Sequence, residues 1–154
     1  MPESSEQDRY AALRLENQLC FPLYAASREI IHLYRSRLEA LDLTYTQYIT
    51  MMVLWEEQEI NVKQLGKRLY LDSGTLTPLL KSLEGKGYVV RKRSEADERI
   101  VLVRLTQAGL ALQEQALDVP AELRACIHLS TEESEQLYHL LYKLLTCKPF
   151  ENNG

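Results

Sequence analysis

The 154-residue sequence has few glycines, prolines and cysteines, and it has no long apolar run. Six Gly and five Pro exclude collagen-like and low-complexity chains. The three cysteines, Cys20, Cys126 and Cys147, form no CxxC metal or redox pair and no disulfide framework. Because no apolar stretch approaches the ~20 residues of a membrane span, and the N-terminus lacks signal-peptide features, we expect a cytoplasmic globular protein that contacts no membrane.

The charges are distributed unevenly along the chain. A net charge of -4 disfavours a nucleic-acid-binding protein. Residues 61–105, however, contain ten Lys or Arg against five Asp or Glu, whereas the rest of the chain contains eight against seventeen. A middle segment of charge +5 between acidic flanks of charge -9 indicates a surface for a polyanion. Charge alone also fits an ordinary solvated face, so the predicted helices and strands must distinguish between these two interpretations.

The first part of the chain has the periodicity of helices. Leucines and isoleucines recur at helical spacing over most of residues 11–40, with Pro22 as an interruption. Pro22 either kinks this helix or lies in the first turn of a helix that restarts there, and both alternatives place Cys20 at a helix irregularity. Thr44 with Gln47 three residues later predicts the start of a second, buried helix.

Two further helices and a hairpin are predicted in the middle of the chain. Asn61 begins a short helix to about Tyr70, and Asp72 or Ser73 caps the next helix, which has one leucine face (Leu76, Leu79, Leu80, Leu83). Gly85 and Gly87 end that helix. Tyr88-Val89-Val90 then begins a strand over 88–93, a polar turn follows, and alternating residues over 99–105 predict the returning strand.

The order of elements predicts a mainly α fold with a small β-hairpin wing, a winged helix-turn-helix. Thr106 and Ser130 begin two flanking C-terminal helices, the first with a break at Pro120. The apolar stripes of the flanking helices are too broad to be buried on so small a middle segment, which predicts a homodimer. We therefore divide the chain into N-terminal dimerisation and sensing helices, a DNA-binding lobe and C-terminal dimerisation helices, over residues 1–60, 61–105 and 106–154.

Three stretches of the sequence resemble one known family. They are LENQLCFPLYAASRE (15–29), LDLTYTQYITMMVLWE (41–56) and QLGKRLYLDSGTLTPLLKSLEGKGYVVRKRSEADERIVLVRLTQAG (64–109). The sequence resembles the MarR-type transcriptional regulators and, within them, the organic-hydroperoxide-sensing OhrR group. The combination of LCF with LDSGTLTPLLK is specific for that group. The resemblance implies a MarR-like helical homodimer that binds a palindromic operator in double-stranded DNA and releases it after reaction with an organic hydroperoxide.

The resemblance and thiol chemistry together indicate Cys20 as the peroxidatic residue. A thiolate attacks the O–O bond of a peroxide, and phenol hydroxyls stabilise a thiolate by donating hydrogen bonds to it. The resemblance implies that Tyr34 and Tyr45 come from the partner subunit and reach Cys20, with Tyr24 as a third candidate. Two-cysteine members of the family form an intersubunit disulfide, and Cys126 has the position of their resolving residue. Without the motif, Cys20 would be interpreted as a small buried hydrophobe.

The sequence leaves two details of this chemistry open. Cys147 or a small thiol could replace Cys126 as the partner of the oxidised sulfur. Five apolar residues either form a pocket that favours lipid-like or aryl hydroperoxides or are simply core residues (Phe21, Leu23, Met51, Met52, Trp55).

The DNA-contacting residues are predicted on the leucine-faced helix and on the hairpin. Short hydroxyl side chains near a helix N-terminus suit phosphates and base edges, and basic wing residues suit phosphates. Asp97 and Arg99 form the DxR pattern of the wider superfamily, in which the arginine enters the minor groove; alternatively the pair only shapes the hairpin. The predicted contacts are Ser73, Thr75, Thr77, Pro78, Lys81, Arg91, Lys92, Arg93, Asp97 and Arg99.

Two other functions fit part of the sequence. A thiol peroxidase would use the same cysteine chemistry, but it would have no use for a basic winged hairpin. A MarR-type repressor that binds a phenolic ligand non-covalently would leave Cys20 without a role. We expect a protein that is not an enzyme and needs no cofactor or metal, because its histidines do not combine with cysteines at metal-ligand spacing (His32, His128, His139).

Overall fold

The computed structural model describes residues 9–146, so Cys147 lies outside the described residues. The chain divides into two compact units between Tyr45 and Thr46. In the first unit, two short 3-10 turns, Ala11–Leu13 and Leu15–Asn17, precede a long helix, α1 (Cys20–Ala40).

The prediction that residues 11–40 are mostly helical is confirmed, but the part before Cys20 forms short 3-10 turns and not an α-helix. The side-chain amides of Asn17 and Gln18 donate hydrogen bonds to the carbonyls of Ala11 (2.8 Å) and Arg14 (3.1 Å), which an α-helix would use for its own backbone. Pro22 is the third residue of α1. The first four N–H groups of a helix have no acceptor within the helix, so proline causes no loss of a hydrogen bond at this position. Of the two alternatives at Pro22, a helix that restarts is confirmed.

The second unit contains the winged helix-turn-helix. Helix α2 (Tyr45–Glu57) leads through strand β1 (Glu59–Asn61) to helices α3 (Val62–Leu69) and α4 (Ser73–Gly85). The predicted caps are confirmed, because the Asn61 side chain accepts the Gln64 N–H at 2.7 Å and the Asp72 side chain accepts the Thr75 N–H at 2.8 Å. Both helices thus begin where the sequence places them.

A three-stranded antiparallel sheet follows the two helices. Strands β2 (Val89–Arg93) and β3 (Val101–Leu105) form the predicted hairpin, and β1 pairs with the other edge of β3. The second hairpin strand begins at Val101 and not at Arg99, because Ile100 closes the turn by donating its N–H to the Asp97 carbonyl at 2.9 Å. Strand β1 was not predicted.

The core of this unit forms around the leucine face of α4. Its four leucines are buried, together with residues of α3 and the sheet (Leu65, Leu76, Leu79, Leu80, Leu83, Val89, Val103). Burial of a leucine side chain contributes about 2 kcal/mol to folding. The stripe therefore holds α4 against the hairpin and presents the opposite face of the helix to solvent.

Three helices complete the chain: α5 (Gln107–Ala116), α6 (Val119–Cys126) and α7 (Thr131–Leu145). The predicted break is confirmed, since Pro120 is the second residue of α6. The predicted capping box at the start of α7 is also confirmed, because Ser130 and Glu133 accept each other's backbone N–H at 3.1 and 2.8 Å.

We predict that Gly109→Ala destabilises the protein. A Cβ at Gly109 would lie 2.2 Å from the Tyr88 carbonyl oxygen, which is backbone and cannot rotate away. We expect the free energy of unfolding to fall by about 2 kcal/mol or more, measured by urea denaturation. Gly85→Ala is the matched control, because a Cβ at Gly85 has no neighbour within 4 Å. An unchanged unfolding midpoint for Gly109→Ala would contradict this packing.

Candidate functional site

The exposed face of α4 carries all the helix residues predicted to contact DNA. Ser73, Thr75, Thr77, Pro78 and Lys81 are exposed, opposite the buried leucines. The Thr77 hydroxyl donates a hydrogen bond to the Ser73 carbonyl at 2.8 Å. The helix therefore presents hydroxyls, one lysine and its own N-terminal N–H groups on one accessible side, an arrangement that suits a nucleic acid.

The tight turn between α3 and α4 depends on a residue that sequence reasoning did not indicate. A Cβ at Gly66 would lie 2.8 Å from the Leu71 carbonyl oxygen, so only glycine fits without a shift of the backbone. Tyr70 ends α3 in the left-handed region, with φ 54°. A glycine at this point of a short helix before a polar cap is the signal that could have indicated the turn.

Asp97 and Arg99 lie in the loop at the tip of the wing. The Asp97 carboxylate accepts the Arg99 backbone N–H at 3.0 Å, and the Arg93 side chain donates to the Glu98 carbonyl at 2.8 Å. Asp97 thus shapes the loop through the backbone, and the Arg99 side chain is exposed at its tip. This geometry fits both roles considered for the pair, because a shaped loop can also present its arginine.

Of the three basic residues at the end of β2, Arg91 differs from the other two. Lys92 and Arg93 are exposed, whereas the Arg91 side chain is 25% exposed and forms an ion pair with Glu84 at 2.7 Å. Hydrogen bonds from Arg91 hold the pKa of the Glu84 carboxyl below its usual value. The positive charge of Arg91 is therefore already neutralised within the lobe.

Other basic residues of the middle segment are also paired. Arg68 forms ion pairs with Glu56 and Glu57 at 2.5 and 2.6 Å, and Arg104 pairs with Glu59 at 2.6 Å. The exposed basic side chains that were not predicted as contacts include Lys63 and Lys67 of α3. The excess of positive charge is thus concentrated on α3, α4 and the wing tip.

Cys20 is the first residue of α1 and is exposed. Tyr24 lies one turn further along the same helix, where its hydroxyl accepts a hydrogen bond from Arg28 at 3.2 Å. Tyr34 lies fourteen residues from Cys20 on α1, which at 1.5 Å per residue is about 21 Å. The Tyr34 hydroxyl therefore does not reach Cys20 of its own chain.

Tyr34 and Tyr45 form a pair whose ring centroids are 5.0 Å apart. Burial raises the pKa of Tyr34, and the neighbouring Tyr45 raises it further; burial also raises the pKa of Tyr45. Both phenols consequently keep their protons at neutral pH and can donate hydrogen bonds to an anion. Because the Tyr45 ring lies only 5.0 Å from the Tyr34 ring, Tyr45 is also remote from Cys20 of its own chain.

Cys126 is the last residue of α6 and is exposed. Its Sγ lies 3.5 Å from the Glu122 carbonyl oxygen, to which the thiol donates a weak hydrogen bond. An exposed thiol at a helix C-terminus is accessible to a second sulfur atom.

The five apolar residues proposed for a pocket have different surroundings. Met51 is fully buried and belongs to the core, whereas Phe21 and Leu23 are exposed on α1. Met52 and Trp55 line a surface groove of about 270 Å³, and the Trp55 indole N–H donates to the Gly109 carbonyl at 2.9 Å. Met51 is therefore a core residue, whereas a hydroperoxide pocket formed by the other four residues stays a prediction.

Within residues 9–146, no three His, Cys, Asp or Glu side chains converge to hold a metal ion. In the same part of the chain, no helix combines the length and apolarity needed to cross a membrane.

The helix-turn-helix and its hairpin define a winged-helix protein, and comparisons with known proteins specify it further. A family model described as transcriptional regulator SarA/Rot matches residues 32–115. The "Organic hydroperoxide resistance transcriptional regulator" of Bacillus subtilis (strain 168) is 48% identical over 139 residues, which cover 90% of this chain and 95% of that protein. The chain belongs to the MarR-type transcriptional regulators, in the group of the organic hydroperoxide resistance regulator, so the resemblance seen in the sequence is confirmed.

Two solved structures of AbfR of Staphylococcus epidermidis are also similar. Reduced AbfR bound to DNA matches with a TM-score of 0.74 and 34% identity, over 92% of this chain and 96% of that one. Disulfide-formed AbfR matches with a TM-score of 0.61 and 37% identity, over 90% of this chain and 98% of that one. The predicted winged-helix fold is confirmed by these structures.

We predict that Asp72 stabilises α4 more strongly when it is ionised. Hydrogen bonds from the backbone and side chain of Thr75 hold the pKa of Asp72 below its usual value. The added stability from ionisation is therefore complete above about pH 4 and is lost as the pH falls through the lowered pKa. Asp72→Asn keeps the cap but cannot titrate. We therefore expect the thermal unfolding midpoint of this variant to decrease less than that of the wild type as the pH is lowered. A decrease of the thermal midpoint at acid pH that is identical in the variant and the wild type would contradict this role for Asp72.

Proposed function

We propose that the protein is a homodimeric repressor that binds its operator when reduced and releases it after an organic hydroperoxide oxidises Cys20. The observation that carries this proposal is the separation of about 21 Å between Cys20 and Tyr34 along one helix. A thiolate at Cys20 needs hydrogen-bond donors, and the buried phenols of Tyr34 and Tyr45 suit that role only if they come from a second chain.

Exposed apolar side chains on the flanking helices support the homodimer. The capping box of Ser130 and Glu133 fixes the start of α7. The large apolar and aromatic side chains of this helix are exposed on the surface (Leu137, Tyr138, Leu140, Tyr142, Leu144). Helix α1 likewise leaves Phe21, Leu23, Ile31 and Leu33 exposed. Burial of such stripes between two copies is the expected way to remove them from water. In this proposal residues 1–60 and 106–154 dimerise and residues 61–105 bind DNA.

The exposed face of α4 and the wing bind the operator in this proposal. The hydroxyls of α4 meet base edges and phosphates of the major groove, and Arg99 at the wing tip enters the minor groove. A twofold dimer presents two such lobes, so the operator is palindromic with half-sites about one helical turn apart. The DNA-bound structure of AbfR, 34% identical, supports this mode. Because a repressor acts where its DNA lies, the protein would act in the cytoplasm.

The redox step follows from the chemistry of thiols. The Cys20 thiolate attacks one peroxide oxygen, the O–O bond breaks, and the alcohol leaves after taking a proton, which gives Cys20 sulfenic acid. The Cys126 thiol of the other subunit then attacks this sulfur, and water leaves as the disulfide forms. The disulfide-formed structure of AbfR supports the step. A thiol reductant reverses it.

Oxidation of Cys20 changes DNA binding through the arrangement of the two chains. Because Cys20 of one chain and the phenols of the other form one network, a new S–O or S–S bond disrupts contacts across the dimer interface. A change in that interface alters the distance between the two DNA-binding lobes, and operator affinity falls.

We predict that about one equivalent of cumene hydroperoxide converts the protein to a covalent dimer on a non-reducing gel, and that dithiothreitol reverses it. Cys20→Ser should remain a monomer band, add no oxygen by intact mass and stay on DNA. Cys126→Ser should still add oxygen at Cys20 but form no covalent dimer. A covalent dimer in Cys126→Ser would assign Cys147 as the resolving residue, which Cys147→Ser tests directly.

Release of DNA by the Cys20→Ser protein on treatment with hydroperoxide would contradict the proposal. Release that is reversed by dilution alone would indicate a non-covalent ligand. Consumption of hydroperoxide far beyond the protein equivalents, with dithiothreitol present, would indicate a thiol peroxidase.

A further inference from the structure

One side chain of α4, the recognition helix of the proposed function, binds the wing at three points. Glu84, in the last turn of α4, accepts the Arg91 backbone N–H at 2.9 Å through one carboxylate oxygen. Its other oxygen accepts the Arg91 Nε and Nη2 at 3.1 and 2.7 Å. Both oxygens of the carboxylate and two donors of the guanidinium are used, which fixes the two side chains in one relative orientation.

The position of Arg91 in the sheet explains why Glu84 is suited to this contact. Strand β2 is an edge strand, since the order of strands is β1-β3-β2. Alternate N–H groups of an edge strand point away from the sheet and need another acceptor. The Arg91 N–H is such a group, and the Glu84 carboxylate supplies its acceptor. The pair thus joins the end of α4 to the outer edge of the wing.

The connection between α4 and β2 is short and is closed by backbone hydrogen bonds. Gly87, with φ 79°, donates its N–H to the Glu84 carbonyl at 2.9 Å, and Tyr88 donates to the Leu83 carbonyl at 3.1 Å. These bonds reverse the chain but leave the direction of the strand beyond Tyr88 to other contacts. Arg91, three residues further along, is where Glu84 fixes that direction.

We propose that Arg91 is a positioning residue for DNA binding and not a phosphate contact: with Glu84 it sets the angle between the recognition helix and the wing, so that both meet one operator half-site. This inference rests on the proposed DNA-binding function and changes the role that the sequence predicts for Arg91. Lys92 and Arg93, which are exposed on the same strand, keep the role of phosphate contacts.

The effect of Glu84→Gln on operator affinity distinguishes positioning of the wing from simple masking of the Arg91 charge, because the two roles predict changes of opposite sign. If Glu84 only holds Arg91 away from phosphate, its neutralisation frees a cation and operator affinity rises. If the pair positions the wing, affinity falls although a negative charge has been removed. We expect about a tenfold loss for Glu84→Gln and for Arg91→Gln, and no further loss in the double variant, because the two residues act as one unit. Glu95→Gln, which removes an exposed wing charge, is the matched control and should not weaken binding.

Salt dependence separates positioning from phosphate binding. The slope of log K against log salt becomes shallower by about 0.9 for each phosphate that the protein no longer neutralises, or by about 2 for a residue present in both subunits. We expect Lys92→Gln to reduce the slope in this way and Arg91→Gln to leave it unchanged. Arg91→Lys keeps the charge but not the bidentate geometry, so it should lose affinity as Arg91→Gln does.

The experiment uses reduced full-length protein and a duplex that the wild type selects from a random-sequence pool, with affinity measured by fluorescence anisotropy. Thermal unfolding of each variant checks that the lobe is folded. Tighter binding by Glu84→Gln, or a smaller slope with Arg91→Gln together with full affinity in Arg91→Lys, would overturn the positioning role. A wild-type protein that selects no duplex would refute the DNA-binding function itself, which is a different result from either of these.

Discussion

The proposed redox centre depends on the rigidity and length of one helix. Cys20 and Tyr34 both lie on α1, and the fixed rise of an α-helix keeps them about 21 Å apart. Tyr45 packs against Tyr34 and is therefore also remote from Cys20 of the same chain. A thiol and the phenols that would stabilise its thiolate can therefore meet only when two chains combine. A redox centre built in this way exists only in the dimer, so its oxidation acts directly on the arrangement of the subunits.

The proposed DNA-binding lobe has the opposite property, because its elements are joined to one another within one chain. The leucine face of α4 is buried against the hairpin, Asp72 caps the start of the helix, and Glu84 holds the wing at its end. In the proposed function, a lobe with these contacts would change its position as a body and would not unfold locally when the dimer rearranges. Small shifts at the subunit interface would then appear as a change in the spacing of two recognition helices.

Much of the fold could be predicted from the sequence, because helix caps, leucine periodicity and turn residues are local signals. Strand β1 could not be predicted, because Glu59–Asn61 is too short to show an alternating pattern. It is a strand only because it pairs with the edge of β3. The 3-10 turns before Cys20 depend on side-chain hydrogen bonds that compete with a helical pattern. The basic residues of 91–93 look equivalent in sequence, and only the position of Glu84 across the chain reversal distinguishes Arg91 from Lys92.

The most direct test of the central claim is complementation between two defective subunits. Cys20→Ser lacks the sulfur, and the double variant Tyr34→Phe with Tyr45→Phe lacks the phenols, so neither homodimer has a complete centre. In a purified heterodimer, we expect the remaining Cys20 to regain the wild-type rate of oxidation by cumene hydroperoxide, because the other chain supplies both tyrosines. The rate is followed by intact mass. A heterodimer that reacts as slowly as the tyrosine-deficient homodimer would contradict a redox centre shared between two chains.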